Sequence, residues 1–556
     1  MAPSPAQPPE LSSQQPPTPA RSLRRIALIV AVATALSKVA GLVRQQVIAA
    51  AFGVGAAYDA YNYAYVLPGF LLILLGGING PFHSAMVSVL ARRPRQEGAH
   101  VLAAINTIVG AALIVVTLLL VLFAGPLIDL VGPALDAERH RIAVLQLRWM
   151  APMALFAGLI GLGFGALNAA DVFWLPSVSP LLSSVAVIAG IGLLWWQLGS
   201  AITQPSTAVI GGIVLAASTT VGAILQWLIQ LPALAKEGLN KLKLVWDWRD
   251  PGVREVLNVM GPATLSSGML QINVFVSLFF ASGMPAAAAG LGYANLLVQT
   301  PLGLISNALL VPLLPVYARL TAPEDRPELI ARIRQGLMLS SASMLPLGAL
   351  MVALAVPIVA LIYQRGAFDR SAADLVGQLL MAYGLGMPAY LARDVLVRVF
   401  YALGDGNTPF RWSLAGIGLN AVFCWAFTGG PTPAWGLQLP MLNAGAAGLV
   451  LATVAVNLIT TVGLLLALQA RLGGLPLRLW ARDTLLLLLA AVLGALVAWV
   501  LAQRVSWPAG LIGLLLQCGL ASAIGTVVYG LVASMAGVPE VQELLGGLRR
   551  RLPRRA

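Results

Sequence analysis

The sequence predicts an all-α polytopic membrane protein of about fourteen transmembrane helices, and three observations carry that expectation. First, 59% of the 556 residues are hydrophobic and only 10% are charged, whereas soluble globular chains carry about 25% charged residues. A mean hydropathy of +0.86 leaves too little polar surface to clothe a water-soluble globule of this size. Second, apolar stretches of about 20 residues recur along the chain, bounded by charge or by Gly/Pro clusters. Third, the basic residues fall unevenly on alternate loops, as membrane orientation requires. Helices are needed because an unpaired amide in hydrocarbon costs several kcal/mol, and the runs do not alternate as barrel strands would.

From Met1 to Ala20 the chain is rich in Pro, Gln and Ser, which reads as a disordered tail, bounded at 1–22. Arg21, Arg24 and Arg25 then precede an apolar run from Ile26 to about Ala51. That run is too long for a signal peptide's apolar core, so it reads as a retained first helix. Further spans begin near Tyr58, Val101, Ile142, Pro176, Ala208 and Glu255, then near Ala288, Leu337, Leu375, Trp412, Leu442, Thr484 and Ala509. Alternating the loops leaves Arg139, Arg141, Arg365, Arg370 and Arg504 on one side, with Lys38, Arg44, Arg148, Arg393 and Arg398 inside spans. The remaining 24 of the 34 basic residues lie on the other side, so both termini are expected in the cytoplasm.

A faint internal repeat is visible. Ala35-Leu36-Ser37, Phe52-Gly53, Pro68 and Ala91-Arg92 are echoed by Thr264-Leu265-Ser266, Ser282-Gly283, Pro301 and Ala318-Arg319. Chance matching of small residues is the alternative. Six spans separate the copies, so two six-helix lobes would share one orientation, related by an axis along the membrane normal with a cavity between them. The expected units are an N-lobe over 23–234, a C-lobe over 235–470, two further helices over 471–537 and a basic tail over 538–556.

Other classes lack their residues. Cys424 and Cys518 both lie in apolar stretches and read as buried thiols, and His83, His100 and His140 show no metal-ligand spacing. No metal or cofactor is expected. The net charge of +13 is dispersed among short loops, which argues against a nucleic-acid partner. No His/Asp set or paired carboxylates suggest a membrane enzyme.

An ionisable group inside a span is a functional-site hypothesis by default. Lys38 and Arg44 lie six residues apart, about 240° around the helix, and flank a broad face. Gly41 between them would let that helix bend or be approached closely. The blander reading has Lys38 snorkelling and Arg44 paired with Asp59. Asp394 and Arg398 are i, i+4 partners that could neutralise one another, while Arg393 either snorkels or faces the cavity. Pro68, Gly69, Gly76, Gly77, Gly80 and Pro81 interrupt the second span, which points to flexing or to close helix packing. Tyr401 to Pro409 reads as a helix stop, a tight turn and a new start.

Ala35-Leu36-Ser37-Lys38-Val39-Ala40-Gly41-Leu42-Val43-Arg44, Phe52-Gly53-Val54-Gly55, Asp59-Ala60-Tyr61 and Leu67-Pro68 resemble the opening signature of the MurJ (MviN) lipid II flippase family. Gly261-Pro262-Ala263, Tyr293-Ala294, Pro301-Leu302-Gly303 and Phe400 to Asp405 with Thr408-Pro409 are similar to its downstream motifs. The resemblance runs from about Ile26 to Ala536. It implies the multidrug/oligosaccharidyl-lipid/polysaccharide exporter fold, with the last two helices forming a lipid-tail groove. It also implies alternating access that carries undecaprenyl-pyrophosphoryl disaccharide-pentapeptide to the outer leaflet of the bacterial inner membrane for peptidoglycan synthesis. No covalent chemistry is implied, and either the membrane potential or an ion gradient would drive transport. Implied partners are lipid II, membrane lipid and the cell-wall synthesis machinery.

Carried over residue by residue, Lys38 stands where the family has an arginine, and Arg44 and Asp59 match a family arginine and aspartate. The chain departs at Leu72-Ile73 and Gly76-Gly77-Ile78, where the family has an Arg-Arg pair and Ala-Glu-Gly. It departs again at Tyr293-Ala294-Asn295-Leu296-Leu297-Val298-Gln299, where the family has Tyr-Ala-Asp-Arg-Leu-x-Glu. These departures resemble the cyanobacterial form. Arg393 and Arg398 then become candidates to make good the arginines lost at Leu72 and Leu296. A flippase for another undecaprenyl-linked polysaccharide, or a cation-coupled small-molecule exporter, remains open. So does a scaffold role, if the lost arginines abolished transport.

Overall fold

The computed structural model describes residues 20–77, 80–239, 243–269, 272–429, 442–540 and 542. The proline-rich segment 1–19 and the basic segment 543–556 lie outside the described residues, as do Ile78 and Lys241. The chain runs through α1 (Ala20–Phe52), α2 (Ala56–Gly76), α3 (Pro81–Leu90), α4 (Arg95–Leu122), α5 (Ala124–Val131), α6 (Ala137–Met150) and α7 (Met153–Ala169). Next come α8 (Trp174–Val178), α9 (Pro180–Leu198), α10 (Ala208–Leu228), α11 (Gln230–Lys236), α12 (Pro251–Met269), α13 (Ile272–Ala281) and α14 (Ala287–Arg319). Then follow α15 (Arg326–Ala353), α16 (Ala355–Tyr363), α17 (Arg370–Ala402), α18 (Asn407–Thr428), α19 (Ala446–Leu472), α20 (Leu477–Arg504) and α21 (Leu511–Met535).

Eleven spans among the described residues are long and apolar enough to cross a bilayer. The sequence count is larger because it also includes the spans beginning near Ile26, Glu255 and Trp412, which correspond to α1, to α12 with α13, and to α18. Local chemistry sets the ends. Gly77 closes α2, and Gly80 with Pro81 starts α3, so the second span is broken where its glycines cluster. Gly404, at φ +73°, ends α17, and the Asp405 carboxylate accepts the Thr408 amide at 3.0 Å to start α18. The expected stop, turn and new start are therefore all present.

Lipid is as apolar as leucine, so membrane helices associate by close packing through small residues. Gly494 and Gly525 face each other's carbonyls where α20 crosses α21. Gly348 and Gly384 do the same between α15 and α17. Gly76 packs against the Ala157 backbone of α7, so close packing and helix interruption coexist in the second span. The α20–α21 pair rests on α15 and α16, pinned by Tyr529 OH donating to the Ala342 carbonyl at 2.8 Å. Cys424 and Cys518 are buried free thiols, as expected.

Positions one repeat apart meet. The Ala289 amide donates to Asp59 Oδ1 across a separation of 230 residues, which is the repeat offset. A Cβ at Gly292 would sit 2.9 Å from Asn62 Oδ1. Residues separated by the expected repeat offset thus meet where α2 packs on α14. Loops assigned to one side by their charge also meet each other. Arg93 pairs with Glu255 at 2.9 Å, and Arg334 pairs with Asp483 at 2.9 Å. At the opposite end Arg139 pairs with Asp59 at 3.1 Å.

Candidate functional site

At the Arg139 end the two halves are joined backbone to backbone. The Ala367 amide donates to the Ala50 carbonyl at 2.8 Å, and Tyr293 OH donates to the Gly53 carbonyl at 2.8 Å. Gly53 and Gly366 both have positive φ and lie so close to the backbones of Ala367 and Ala50 that a Cβ at either would collide with them. Tyr58 packs at a tilt against Tyr293 at 4.7 Å between centroids, and Tyr293 meets Tyr363 and Phe368 at 5.0 and 5.2 Å. The result is an apolar plug.

Asp59 lies at the centre of this closure. Its carboxylate accepts the amides of Ala286 at 3.3 Å and Ala289 at 3.0 Å, at the N-terminus of α14, where donors are unpaired and negative charge is favoured. Its ion-pair partner is Arg139, from the start of α6. This corrects the expected Asp59–Arg44 pair. The turn at Gly53 to Gly55 swings α2 so that Asp59 faces the other half and α6, not α1.

Arg44 instead has a buried Nε without a hydrogen-bond partner among the described residues. Tyr58, Tyr61 and Tyr65 stack along α2, with ring centroids 6.0 and 5.3 Å apart. The neighbouring Gln45 donates to Tyr58 OH. Lys38 is exposed about 9 Å earlier along α1, and its Nζ sits 3.6 Å from where a Gly303 Cβ would lie on α14. Gly303 belongs to a stripe stepping by four through Asn295, Gln299 and Asn307, and these three amides are exposed. Amides on a membrane helix face a polar cavity, not lipid. The Lys38 ammonium thus lies against this stripe of α14.

Other expected residues are placed differently. Arg393 donates to Asp394 at 3.0 Å and to Asn457 at 2.9 Å, so it is partnered within its own half. That corrects the expected Asp394–Arg398 neutralisation. The adjacent guanidinium reaches Asp394, while Arg398 donates to the Leu310 carbonyl of α14 at 3.1 Å. Gly41 has nothing within 4 Å of its Cβ direction, and α1 is continuous through it, so it is not a close-approach point here. Ser37 instead makes the close contact, donating to the Ser177 carbonyl of α8 at 3.0 Å. Pro68 sits inside α2, and Gly69 is covered by Tyr65. His100 meets Asp247 at 3.2 Å and His140 meets Asp129 at 2.9 Å.

Sequence reasoning did not assign Arg139, the tyrosine cluster or the α14 stripe to the site. A signal for Arg139 existed, since it is one of five basic residues on its side. The stripe was readable as amides at i, i+4 and i+12 in an apolar run.

A family model described as lipid II flippase MurJ matches residues 48–517. A Synechocystis protein named probable lipid II flippase MurJ is 53% identical over 529 residues, 95% of this chain and 97% of its own. A Burkholderia cenocepacia protein named lipid II flippase MurJ is 31% identical over 403 residues, 70% of this chain and 75% of its own. A solved lipid II flippase MurJ in an inward closed conformation superposes with TM-score 0.72 at 22% identity, covering 91% of this chain and 98% of that one. An inward-facing MATE transporter of the MOP superfamily superposes with TM-score 0.57 at 14% identity, covering 81% and 98%. At these identities the structural likeness is one of fold.

Proposed function

This chain belongs to the lipid II flippase MurJ family, and from that premise we propose how its own residues carry lipid II across the bacterial cytoplasmic membrane by alternating access. The flippase activity and its place in peptidoglycan synthesis follow from the family. The Arg139 end is the outer end and the Arg93 end the cytoplasmic one, with both tails in the cytoplasm. In this reading the described conformation is shut toward the outside by Asp59, Arg139 and the tyrosine plug. The lobes at 23–234 and 235–470 rock about the α2–α14 axis, and the helices over 471–537 hold the lipid tail.

The substrate's pyrophosphate brings about two negative charges into a site where unpaired charge is heavily penalised. Lys38, exposed opposite the amides of α14, receives it, and Arg44 supplies the second cation. The observation that carries this is the Lys38 ammonium beside Gly303, facing the other half's polar stripe. Asn295, Gln299 and Asn307 offer neutral hydrogen bonds where the family pattern has charge. Arg393 and Arg398, already partnered within the second half, are left to position α17. The membrane potential or an ion gradient supplies the drive, and the cell-wall synthesis machinery is the downstream partner.

The test is expression in a bacterium depleted of its own lipid II flippase, with outer-leaflet lipid II measured by accessibility to an added enzyme. Restored growth and accessibility are expected for the wild-type chain, with loss in Lys38→Ala present at normal membrane abundance. Full rescue by Lys38→Ala would remove Lys38 from the substrate site.

A further inference from the structure

The segment between α11 and α12 has a period of two. Val245 and Asp247 turn toward α4, where the Val245 amide donates to Thr107 Oγ1 at 3.1 Å and Asp247 meets His100 Nε2 at 3.2 Å. Leu244, Trp246 and Trp248 point the other way and are 93%, 65% and 55% exposed. Two exposed tryptophans and a leucine on one face are a large apolar outlay for the seven-residue stretch 243–249. Among the described residues nothing covers them.

Their height along α4 indicates what does. α4 has 28 residues, about 42 Å, against a hydrocarbon core of about 30 Å. Its far end shows Ile114, Val115, Leu118, Leu119 and Leu122 outward, as lipid contact requires. About the first 12 Å of the helix, with His100, therefore project beyond the hydrocarbon, while Thr107 lies about 18 Å along, inside its boundary. The segment runs beside this stretch, with Leu244 deepest, Trp246 next and Trp248 shallowest. Tryptophan favours that headgroup depth.

Charge agrees. Lys236, Lys243, Arg249 and Arg254 are exposed around the segment, with Arg249 over the Trp248 ring at 5.6 Å. The nearby acids are engaged by the protein. Asp247 accepts the Arg249 and Asp250 amides, Asp250 accepts those of Gly252 and Val253, and Glu255 pairs with Arg93. The outward face is thus apolar and positive.

We propose that residues 243–249 are an interfacial anchor that docks on the adjacent membrane leaflet, burying Leu244, Trp246 and Trp248 among headgroups and preferring anionic lipid. The anchor fixes the connection between the two halves to the bilayer as well as to α4.

The experiment uses the full chain in nanodiscs with Trp246→Cys carrying an environment-sensitive fluorophore, since Cys424 and Cys518 are buried. Glu324→Cys, in the exposed turn Pro323–Asp325, serves as the water-facing control. In discs of phosphatidylcholine with phosphatidylglycerol, headgroup-level nitroxide lipid should quench position 246 at least about twofold more than position 324, with aqueous iodide showing the reverse order. Leu244→Cys and Trp248→Cys should bracket position 246 in depth. Equal iodide access at 246 and 324 would overturn the anchor and leave the face free for a protein partner. Equal protection of 246 in discs of phosphatidylcholine alone would overturn the anionic preference.

Discussion

Asp59 and Arg139 form an ion pair at 3.1 Å in which the carboxylate is almost fully buried, while the same carboxylate caps the first turn of α14 from the other half. One side chain thus ties α2 and α6 to α14 of the other half, and its contacts to α14 must break if this end opens. Removing one partner of a buried pair typically costs 3–5 kcal/mol, because it strands the other charge. Arg139 thus holds the carboxylate in place, and opening this end requires water or substrate to take over the freed Ala286 and Ala289 amides.

Asp59→Asn and Arg139→Gln should each lower unfolding stability in detergent, and together they should cost less than the sum by about 1–3 kcal/mol. The corresponding cycle between Asp59 and Arg44 should be additive to within about 0.5 kcal/mol. Additivity with Arg139, or coupling with Arg44, would restore the pairing that chain proximity suggests.

Gly53 has φ +52° and no room for a Cβ beside Ala367. Gly53→Ala should then loosen the contact between Ala50 and Ala367 without touching any charged group. With Ala367→Cys as reporter, a membrane-impermeant maleimide should label the Gly53→Ala protein several-fold faster, in line with strain of about 1–3 kcal/mol at a non-glycine residue with positive φ. Unchanged labelling would mean that this turn does not hold the end shut.

The fold was largely legible because hydrocarbon leaves a chain few choices. A run of 20 apolar residues must be helical, and basic loops sort by side. The breaks at Gly77 and Gly404 were readable for the same reason, since each is a local property of a few residues. Pairings were less legible. Asp59 with Arg139, and Arg398 with the Leu310 carbonyl, depend on how helices rotate about their axes, which an apolar pattern hardly constrains when all faces are apolar. Arg44 was nearer to Asp59 in sequence, but the turn at Gly53 directs the two apart.

The clustering of basic loops predicts topology. Arg93 with Glu255, and Arg95 with Glu237, tie the α3–α4 turn to the connection before α12, so these loops share a side. Reporter tags at Met1 and at Ala556 should both read cytoplasm. A periplasmic reading from either tag would require an odd number of spans and would undo the assignment of the Arg139 end as outer.

The turn between α17 and α18 supplies a pH dependence. The Thr408 amide, then its hydroxyl, hold the Asp405 carboxyl below the usual carboxylate range, with Arg471 adding to them. A lowered folded-state pKa contributes stability above the unfolded value of about 3.9, and that contribution is lost as pH falls through the folded value. Asp405→Ala should melt below wild type at neutral pH, and the gap should close in acid below about pH 4. A gap independent of pH would assign the loss to packing.

The distinction between Lys38 and Arg44 is the sharpest test of the transport reading, because the two cations meet different surroundings. Lys38 is exposed beside the neutral α14 stripe, where a compact ammonium acts as a point charge and an arginine would act equally well. Lys38→Arg should therefore support growth of flippase-depleted cells, and Lys38→Ala should not. Arg44 has its Nε buried with no hydrogen-bond partner among the described residues. A buried guanidinium donor left open suits a phosphate group that arrives only with substrate and offers two oxygens to the planar fork. Lysine cannot reproduce that fork, so Arg44→Lys should be the more damaging conservative change. Each variant must first be shown at normal abundance in the membrane, since misfolding would mimic lost binding. If Arg44→Ala and Lys38→Ala are both abundant and both transport fully, the pyrophosphate is held elsewhere, and Arg393 and Arg398 become the next pair to remove.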